Sequence, residues 1–215
     1  PDVITYNAAI SACEKGKHPE GALWLFEEME RMESHPDTVT YSALISACEK
    51  GELPDEALRL LREMRAKELA PDVITYNAAI SACEKGRRPE DALRLLVAMR
   101  QSGLLPSVVT YSAVISACEK GGQKAGLALG LLREMRQLRM MPNLVTYNAA
   151  IAACSRGTML DEALGLMEEM KAQGFLPDII SFNTAIGACA RGGRPDLAAD
   201  LLEALWQRDL RPDVM

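Results

Sequence analysis

The sequence is poor in aromatic residues and histidine, has no excess of basic residues and lacks any long apolar run. Among its 215 residues, aromatic side chains make up 5%, two residues are histidine and the formal net charge is −6. A bilayer-spanning helix needs about 18 consecutive apolar residues, and neither such a run nor a signal-peptide-like leader is present. These absences predict that the chain does not span a membrane and that its surface as a whole does not attract polyanions.

The sequence also lacks the motifs of metal and catalytic sites. No Cys-x-x-Cys pair occurs, and only His18 and His35 could join cysteines around a metal ion. The carboxylates are scattered, as on solvated helix faces, so we expect no metal, no cofactor and no enzymatic activity. The cysteines recur at one position of a repeat, which predicts free thiols in the core and a reducing compartment. They are Cys13, Cys48, Cys83, Cys118, Cys154 and Cys189.

What the sequence does contain is a repeat. The segment VITYNAAISACEKG (3–16) returns in related form, with successive copies starting 35, 35, 35, 36 and 35 residues apart. Self-similarity at such a period is typical of solenoids built from one supersecondary unit. The extra residue of the fourth repeat falls within 121–126, and because the chain begins in mid-pattern at Pro1 we expect it to be part of a longer protein. The repeats span 3–37, 38–72, 73–107, 108–143, 144–178 and 179–213.

Each repeat predicts two amphipathic helices. In the first helix, Tyr6, Ala9, Ile10 and Cys13 recur at i, i+3, i+4 and i+7, which is the spacing of one apolar helix face. A glycine (Gly16 in the first repeat) closes this helix, as a helix C-terminus prefers. A second apolar-periodic segment follows, and a proline ends the unit. One repeat is therefore helix, glycine turn, helix, proline turn.

An aromatic residue lies on the apolar stripe of every first helix. Stacking on nucleic-acid bases and packing between helices both suit an aromatic ring, but the helical phase favours packing. The sixth repeat has phenylalanine, so a hydroxyl contact is not needed in every repeat. The series is Tyr6, Tyr41, Tyr76, Tyr111, Tyr147 and Phe182.

A different face of the first helix carries two series of small polar residues. The residue after the aromatic is Asn7, Ser42, Asn77, Ser112, Asn148 and Asn183 in turn. The residue after the closing proline is Asp37, Asp72, Ser107, Asn143, Asp178 and Asp213 in turn. Both series offer groups that could read a base edge. Helix N-capping explains the second series well, but an asparagine or serine inside a helix is mildly unfavourable, which favours a binding role for the first.

Two further series line the same face. β-branched residues lie one turn before the Asn or Ser, where they suit either a wall beside a flat ring or packing between repeats. These are Ile4, Val39, Ile74, Val109, Val145 and Ile180. A cation ends every first helix, where it complements the helix dipole or approaches a phosphate backbone. The cations are Lys15, Lys50, Lys85, Lys120, Arg156 and Arg191.

Together these features resemble the pentatricopeptide repeat family, whose 35-residue helix-turn-helix has Val-x-Thr-Tyr-Asn at its start and Pro-Asp at its end. The resemblance covers the whole chain. It implies an all-α fold, a right-handed superhelical α-solenoid of helix-turn-helix repeats, with the first helices lining a concave groove. It also implies that the groove binds single-stranded RNA at one base per repeat, with N-terminal repeats toward the 5′ end.

The resemblance implies roles residue by residue. The Asn or Ser of a repeat and the residue after its closing proline would select the base, the β-branched series would clamp bases, and the cations would approach phosphate. Asn7 with Asp37, Asn148 with Asp178 and Asn183 with Asp213 match a uracil pair. Ser42 with Asp72 resembles a guanine pair, Asn77 with Ser107 a cytosine pair and Ser112 with Asn143 an adenine pair. The implied target is 5′-UGCAUU-3′.

Three functions stay open at this point. The favoured one is sequence-specific binding of single-stranded RNA in a mitochondrion or chloroplast, serving RNA processing, stability or translation alongside other RNA-processing proteins. The first-helix segments carry six Lys or Arg against four Glu, so we expect a groove less negative than the whole chain and a modest, salt-sensitive affinity. The alternatives are a protein-binding helical scaffold and a spacer within a larger RNA factor. Uncapped end repeats could also self-associate.

Overall fold

The computed structural model describes residues 1–122 and 124–207, in which every regular element is an α-helix. Within these ranges no helix has the length and apolar character needed to cross a bilayer. Contacts divide the chain into two compact units, Pro1–Pro106 and Ser107–Met215. The first unit contains α1 (Val3–Lys15), α2 (Pro19–Arg31), α3 (Thr38–Lys50), α4 (Pro54–Ala66), α5 (Val73–Lys85) and α6 (Pro89–Gln101). The second contains α7 (Val108–Lys120), α8 (Ala125–Gln137), α9 (Leu144–Arg156), α10 (Leu160–Ala172), α11 (Ile179–Arg191) and α12 (Pro195–Trp206).

The helices follow the sequence repeats in register, so the predicted all-α solenoid of helix-turn-helix repeats is confirmed. Within each unit the first helices of successive repeats pack side by side. Each second helix packs on the first helix of its own repeat and on that of the next repeat in the unit. The extra residue of the fourth repeat lies between α7 and α8, as predicted. Because the contacts divide the chain into two units, a single continuous solenoid over 1–215 stays a prediction.

The core is formed by the aromatic residues and cysteines of the first helices together with apolar residues of the second. The aromatic series is 4% exposed at Tyr6 and 1% or less elsewhere, so packing is confirmed and base stacking by these rings is excluded. All six cysteines are free, and all but the half-buried Cys13 are buried. Burial raises the pKa of the Cys48 thiol to about 12 and that of Cys83 equally. The cysteines are therefore packing residues, as predicted.

The first helices are capped by the polar residues that follow each closing proline. At Asp37, for example, the backbone is extended and the side chain accepts a hydrogen bond from the Thr40 N–H. Asp72, Ser107, Asn143 and Asp178 cap their helices in the same way. Asp213 lies outside the described residues. N-capping is thus one role of this series, and within each unit it places the side chains at a fixed point beside the preceding first helix.

The glycine that closes each first helix lies at the helix end, as predicted, but for a different physical reason. Gly51 has φ −86°, and the left-handed conformation belongs to the next residue, Glu52, with φ +57°. A Cβ on Gly51 would lie 2.3 Å from Cγ of Pro19, which begins the second helix of the preceding repeat. Gly86 approaches Pro54 in the same way, at 2.6 Å. Glycine is needed here because it allows neighbouring repeats to approach closely.

Candidate nucleic-acid interface

The β-branched series lies on the exposed face of the first helices. These six side chains are 58–77% exposed, with Ile4 and Ile180 at the two extremes. An isoleucine or valine that was packed between repeats would be buried, so that alternative is wrong. Because an exposed isoleucine or valine occupies the same position in each first helix, each unit has a series of small apolar surfaces, one helical turn before the Asn or Ser series.

Two asparagines of the Asn or Ser series donate hydrogen bonds to the capping residue of the next repeat. Asn7 Nδ2 donates to Asp37 Oδ1 at 3.1 Å. Asn148 Nδ2 donates to Asp178 Oδ2 at 3.1 Å and to Oδ1 at 3.2 Å. The contact forms because the capping residue begins a first helix that packs directly beside the preceding one. An amide donor and a carboxylate acceptor thus lie side by side on the same face.

A buried threonine hydroxyl joins the two members of the Asn7–Asp37 pair. Thr40 is fully buried, and its Oγ1 lies 2.6 Å from Asn7 Oδ1 and 2.9 Å from Asp37 Oδ1. Because this hydroxyl donates to the amide oxygen, the amide nitrogen must face the carboxylate. The hydroxyl therefore fixes which end of the Asn7 amide lies beside Asp37.

The same hydroxyl position recurs in the other described pairs. Ser181 donates to Asn148 Oδ1 at 2.6 Å. Where serine replaces asparagine, Ser42 Oγ lies 2.7 Å from Thr75 Oγ1, and Ser112 Oγ lies 2.6 Å from Thr146 Oγ1. Sequence reasoning missed this series. Its signal was a hydroxyl residue immediately before the aromatic in all six repeats, at Thr5, Thr40, Thr75, Thr110, Thr146 and Ser181.

The carboxyl of Asp37 is held in its charged form. Burial raises its pKa, but the hydrogen bonds donated by the Thr40 N–H and the Asn7 amide, together with the adjacent Thr40 side chain, outweigh burial and lower the pKa below its ordinary value of 3.8. Hydrogen bonds donated to a carboxylate favour its ionised state. At neutral pH this position therefore presents a hydrogen-bond acceptor and cannot donate.

Two predicted pairs are not brought together within one described unit. Asn77 lies on α5 of the first unit, whereas Ser107 caps α7 of the second unit. Asn183 lies on α11, but its partner Asp213 is outside the described residues. The cytosine pair and the last uracil pair therefore rest on their sequence positions.

The cation series lies at the far end of the first helices, where it contacts the neighbouring repeat. Lys50 Nζ lies 2.8 Å from Glu14 Oε1, and Lys85 Nζ lies 2.7 Å from Glu49 Oε1. Arg191 instead donates to the carbonyl oxygen of Ser155 at 3.2 Å and to its hydroxyl. Lys15 is exposed. Within each unit the cations thus recur at the ends of neighbouring first helices, but several of them already have acidic partners.

In the second unit the three series line one groove. It has a volume of about 780 Å³ and runs across α7, α9 and α11. Its lining includes Val145, Ile180, Asn148, Asn183, Arg156 and Arg191. Apolar walls, amide groups and guanidinium groups in one open groove suit flat polar rings on an anionic backbone. Nowhere in residues 1–122 or 124–207 do three or more His, Cys, Asp or Glu side chains cluster as a metal site would require.

Models of the pentatricopeptide repeat match along the chain. The pentatricopeptide repeat domain matches 59–121 and 120–156, the PPR repeat family 1–50 and 142–191, and the PPR repeat 39–69 and 180–210. A comparison with curated protein sequences finds no match.

Solved structures of pentatricopeptide repeat proteins have the same fold. Maize PPR10 is 30% identical with a TM-score of 0.68, over 99% of this chain and 30% of PPR10. PPR10 in complex with an 18-nt psaJ RNA element is 28% identical with a TM-score of 0.81, over 97% of this chain and 30% of that one. The PPR domain of Arabidopsis thaliana PRORP1 in complex with tRNA is 19% identical with a TM-score of 0.67, over 80% of this chain and 89% of that one. This chain thus spans 30% of the length of PPR10.

Proposed function

Because the chain belongs to the pentatricopeptide repeat family, we propose that it binds single-stranded RNA and reads one base with each repeat. The observation that carries the proposal is the contact between Asn7 and Asp37 and its counterpart in the fifth repeat. Each contact places a donor and an acceptor together beside an exposed apolar wall. The similar PPR10 was solved in complex with an RNA element, which supports RNA as the ligand here.

The proposed target is 5′-UGCAUU-3′, and the chemistry of the pairs fits it. An asparagine amide and an aspartate carboxylate offer a donor and an acceptor, which complement the O4 and N3–H of uracil. A carboxylate accepts from the two donors of guanine, N1–H and N2–H, as Asp72 would do beside Ser42. The Asn143 amide offers both a donor and an acceptor. Its N–H could donate to N1 of adenine, and its oxygen could accept from N6–H. Single-stranded RNA is read through such base edges.

We further propose that the chain is a binding module without catalytic residues of its own, working with other RNA-processing proteins. Its family membership supports a role in RNA processing, stability or translation in a mitochondrion or chloroplast. Any cleavage or editing of the bound RNA would then be carried out by residues other than those of this chain.

The test is a titration of this chain against labelled RNA containing UGCAUU. A scrambled RNA of equal composition and the DNA equivalent are compared at two salt concentrations, because backbone contacts weaken with salt and base contacts do not depend on it in the same way. We expect UGCAUU to bind more tightly than either comparison strand.

The decisive variant is Asp72→Asn, which converts an acceptor-only group into a donor and acceptor. It should move the preference at the second base from G to A. Asp2→Asn is the matched control, since Asp2 also caps a first helix but follows no Asn or Ser series residue in this chain. A preference unchanged by Asp72→Asn contradicts base reading by the pairs. Equal binding to all RNAs favours a spacer role, and the absence of RNA binding favours a protein-binding scaffold.

A further inference from the structure

The residue before each first-helix cation is acidic in some repeats and not in others. It is Glu14, Glu49, Glu84 and Glu119 in the first four repeats, then Ser155 and Ala190 in the last two. Base selection does not use this position. It therefore varies independently of the proposed RNA code and needs an explanation of its own.

Three glutamates of this series neutralise the cation of the next repeat. Glu14 pairs with Lys50, Glu49 with Lys85, and Glu119 with Arg156 at 2.7 Å. The three glutamate side chains are only 14–20% exposed. Partly buried ion pairs are screened less by water and salt than surface pairs, so these carboxylates remain competitors for any phosphate that approaches the cations.

The series breaks at Ser155. In the part of the chain that the structure describes, Arg191 has no carboxylate partner and donates instead to the carbonyl and hydroxyl of Ser155. Neutral oxygens orient the guanidinium without cancelling its charge. Arg191 also lines the groove of the second unit together with Asn183 and Ile180, so its charge lies beside the residues proposed to hold a base.

We propose that Arg191 is the principal phosphate anchor among the cations with a described partner, and that the residue preceding each cation sets how strongly the next repeat holds the RNA backbone. The proposal rests on RNA binding by this groove. A glutamate before the cation of one repeat weakens the phosphate contact made by the cation of the following repeat. A serine there leaves the charge of that cation available to phosphate. Among the cations with a described partner, backbone affinity is thereby concentrated at the 3′ part of the bound RNA, while each repeat that follows a glutamate-bearing repeat contributes base reading with little backbone attraction.

The test exchanges the two residue types. Ser155→Glu places beside Arg191 the carboxylate that Glu119 places beside Arg156, at a position where four other repeats carry glutamate. Glu49→Ser gives Lys85 the environment of Arg191, since the Glu49 carbonyl oxygen that accepts from Lys85 at 3.0 Å remains. The charge-matched controls are Gln137→Glu and Glu27→Ser, both at exposed positions of second helices.

The dissociation constant is measured against salt for UGCAUU and for a scrambled RNA. Removing one phosphate contact reduces the slope of log affinity against log salt by about 0.7 for a single strand. We expect Ser155→Glu to weaken both RNAs several-fold with this reduction of slope, and Glu49→Ser to strengthen both with a similar increase. The far-ultraviolet circular dichroism spectrum checks that each variant remains helical.

The outcomes separate this proposal from the proposed function. If Ser155→Glu and Gln137→Glu weaken binding equally, only total charge matters and Arg191 is no special anchor. If UGCAUU is preferred but neither Ser155→Glu nor Glu49→Ser changes the slope, base reading stands and the anchor is wrong. If the wild type binds RNA without sequence preference but Ser155→Glu reduces the slope, the anchor stands and the base code fails.

Discussion

At the scale of single residues, the hydroxyl group of Thr40 contacts both members of the pair Asn7 and Asp37. Thr40 is buried on α3, yet its hydroxyl contacts Asn7 on α1 and thereby sets the orientation of a half-buried amide. Buried polar groups are costly unless they are hydrogen-bonded, and in the described residues no buried side-chain nitrogen or oxygen lacks a partner. The hydroxyl also contacts Asp37, the cap of its own helix, but it reaches Asn7 only when the two repeats pack. Packing of the repeats therefore sets the geometry of the proposed base-reading pair.

Replacing Thr40 with valine should reduce base discrimination more than it reduces total affinity. Valine keeps the shape and the backbone cap from Asp37 to the residue 40 N–H, but removes the donor to Asn7 Oδ1. The amide can then turn, and we expect discrimination between U and C at the first base to fall by about 1 kcal/mol. Competition titrations with UGCAUU and CGCAUU measure the effect.

Thr5→Val is the control for this change. Thr5 donates to Asp2 in the same way, but no asparagine of a preceding repeat contacts it in this chain. It should leave base preference unchanged. Equal loss of discrimination in both variants would show that the hydroxyl acts through helix stability alone.

The charge of Asp37 predicts how stability depends on pH. Its pKa is lower in the folded chain than the ordinary unfolded value, despite burial. The stabilisation it gives is therefore fully present above about pH 4 and is lost as the pH falls through the folded pKa. Asp37→Asn keeps a good cap and removes the titration. Urea unfolding from pH 7 to pH 2 should show the stability advantage of wild type over this variant shrinking below about pH 4, and a constant difference would contradict it.

Single residues were predictable from the sequence when their role lies within one helix. The buried phase of Tyr41 follows from helical periodicity alone. The exposure of Ile4 did not, because its position suited both a wall beside a ring and packing between repeats. The role of Thr40 does not, because a threonine one residue before a core tyrosine could equally be a β-branched packing residue. The hydroxyl orients the amide only through contact with a residue 33 positions away in the sequence. A single sequence does not show which residues so far apart come into contact.

At the scale of helices, the chain distinguishes glycines that allow close packing from glycines that only weaken a helix. Gly51 ends α3 against Pro19 of the neighbouring repeat. Gly126 and Gly130 lie within α8, and an added Cβ at either would meet nothing within 4 Å. The sequence predicted a glycine at the end of α3, but it could not predict the approach of Pro19, because that approach is a contact between repeats.

Alanine substitution should therefore have opposite effects at these positions. Gly126→Ala and Gly130→Ala should each raise the free energy of unfolding by about 0.5–1 kcal/mol, since alanine is the better helix former. Gly51→Ala should lower it by about 1–3 kcal/mol, because the new methyl group overlaps the Pro19 ring. Chemical denaturation of the three variants checks the signs. Stabilisation by Gly51→Ala would mean that the two repeats are not in close contact.

For the whole molecule, the consequence of repetition is modularity. Within each unit a helix contacts its own repeat and the adjacent ones, and stability in such solenoids is approximately a sum over repeats and their interfaces. The period, the helix order and the repeat boundaries were predictable, because the same pattern of residues recurs six times in the sequence. The division into two compact units was not predictable. The second unit begins with the fourth repeat, whose length differs from that of the others only by one residue in the turn between its two helices.

Modularity predicts that one repeat can be removed together with one base of the target. Deletion of 38–72 joins Asp37 to Val73 and regenerates the Pro-Asp-Val-Ile junction already present at 71–74. Asp37 would then cap α5, and Gly86 would meet Pro19 instead of Pro54. Each packing interaction that the deletion removes is therefore replaced by one of the same kind, and we expect the shortened chain to remain helical and to unfold cooperatively.

The RNA preference of this deletion variant should change from UGCAUU to UCAUU, because the pair Ser42 and Asp72 is removed while Asn7 keeps Asp37. Deletion of 73–107, which joins Asp72 to Val108, is the matched comparison and should give UGAUU instead. Titration of both variants against all three RNAs distinguishes a code from a general reduction of the binding surface. If both deletions weaken the three RNAs in the same order, the repeats share the binding energy without reading separate bases. If each variant selects its own five-base RNA, the groove reads its target one repeat at a time.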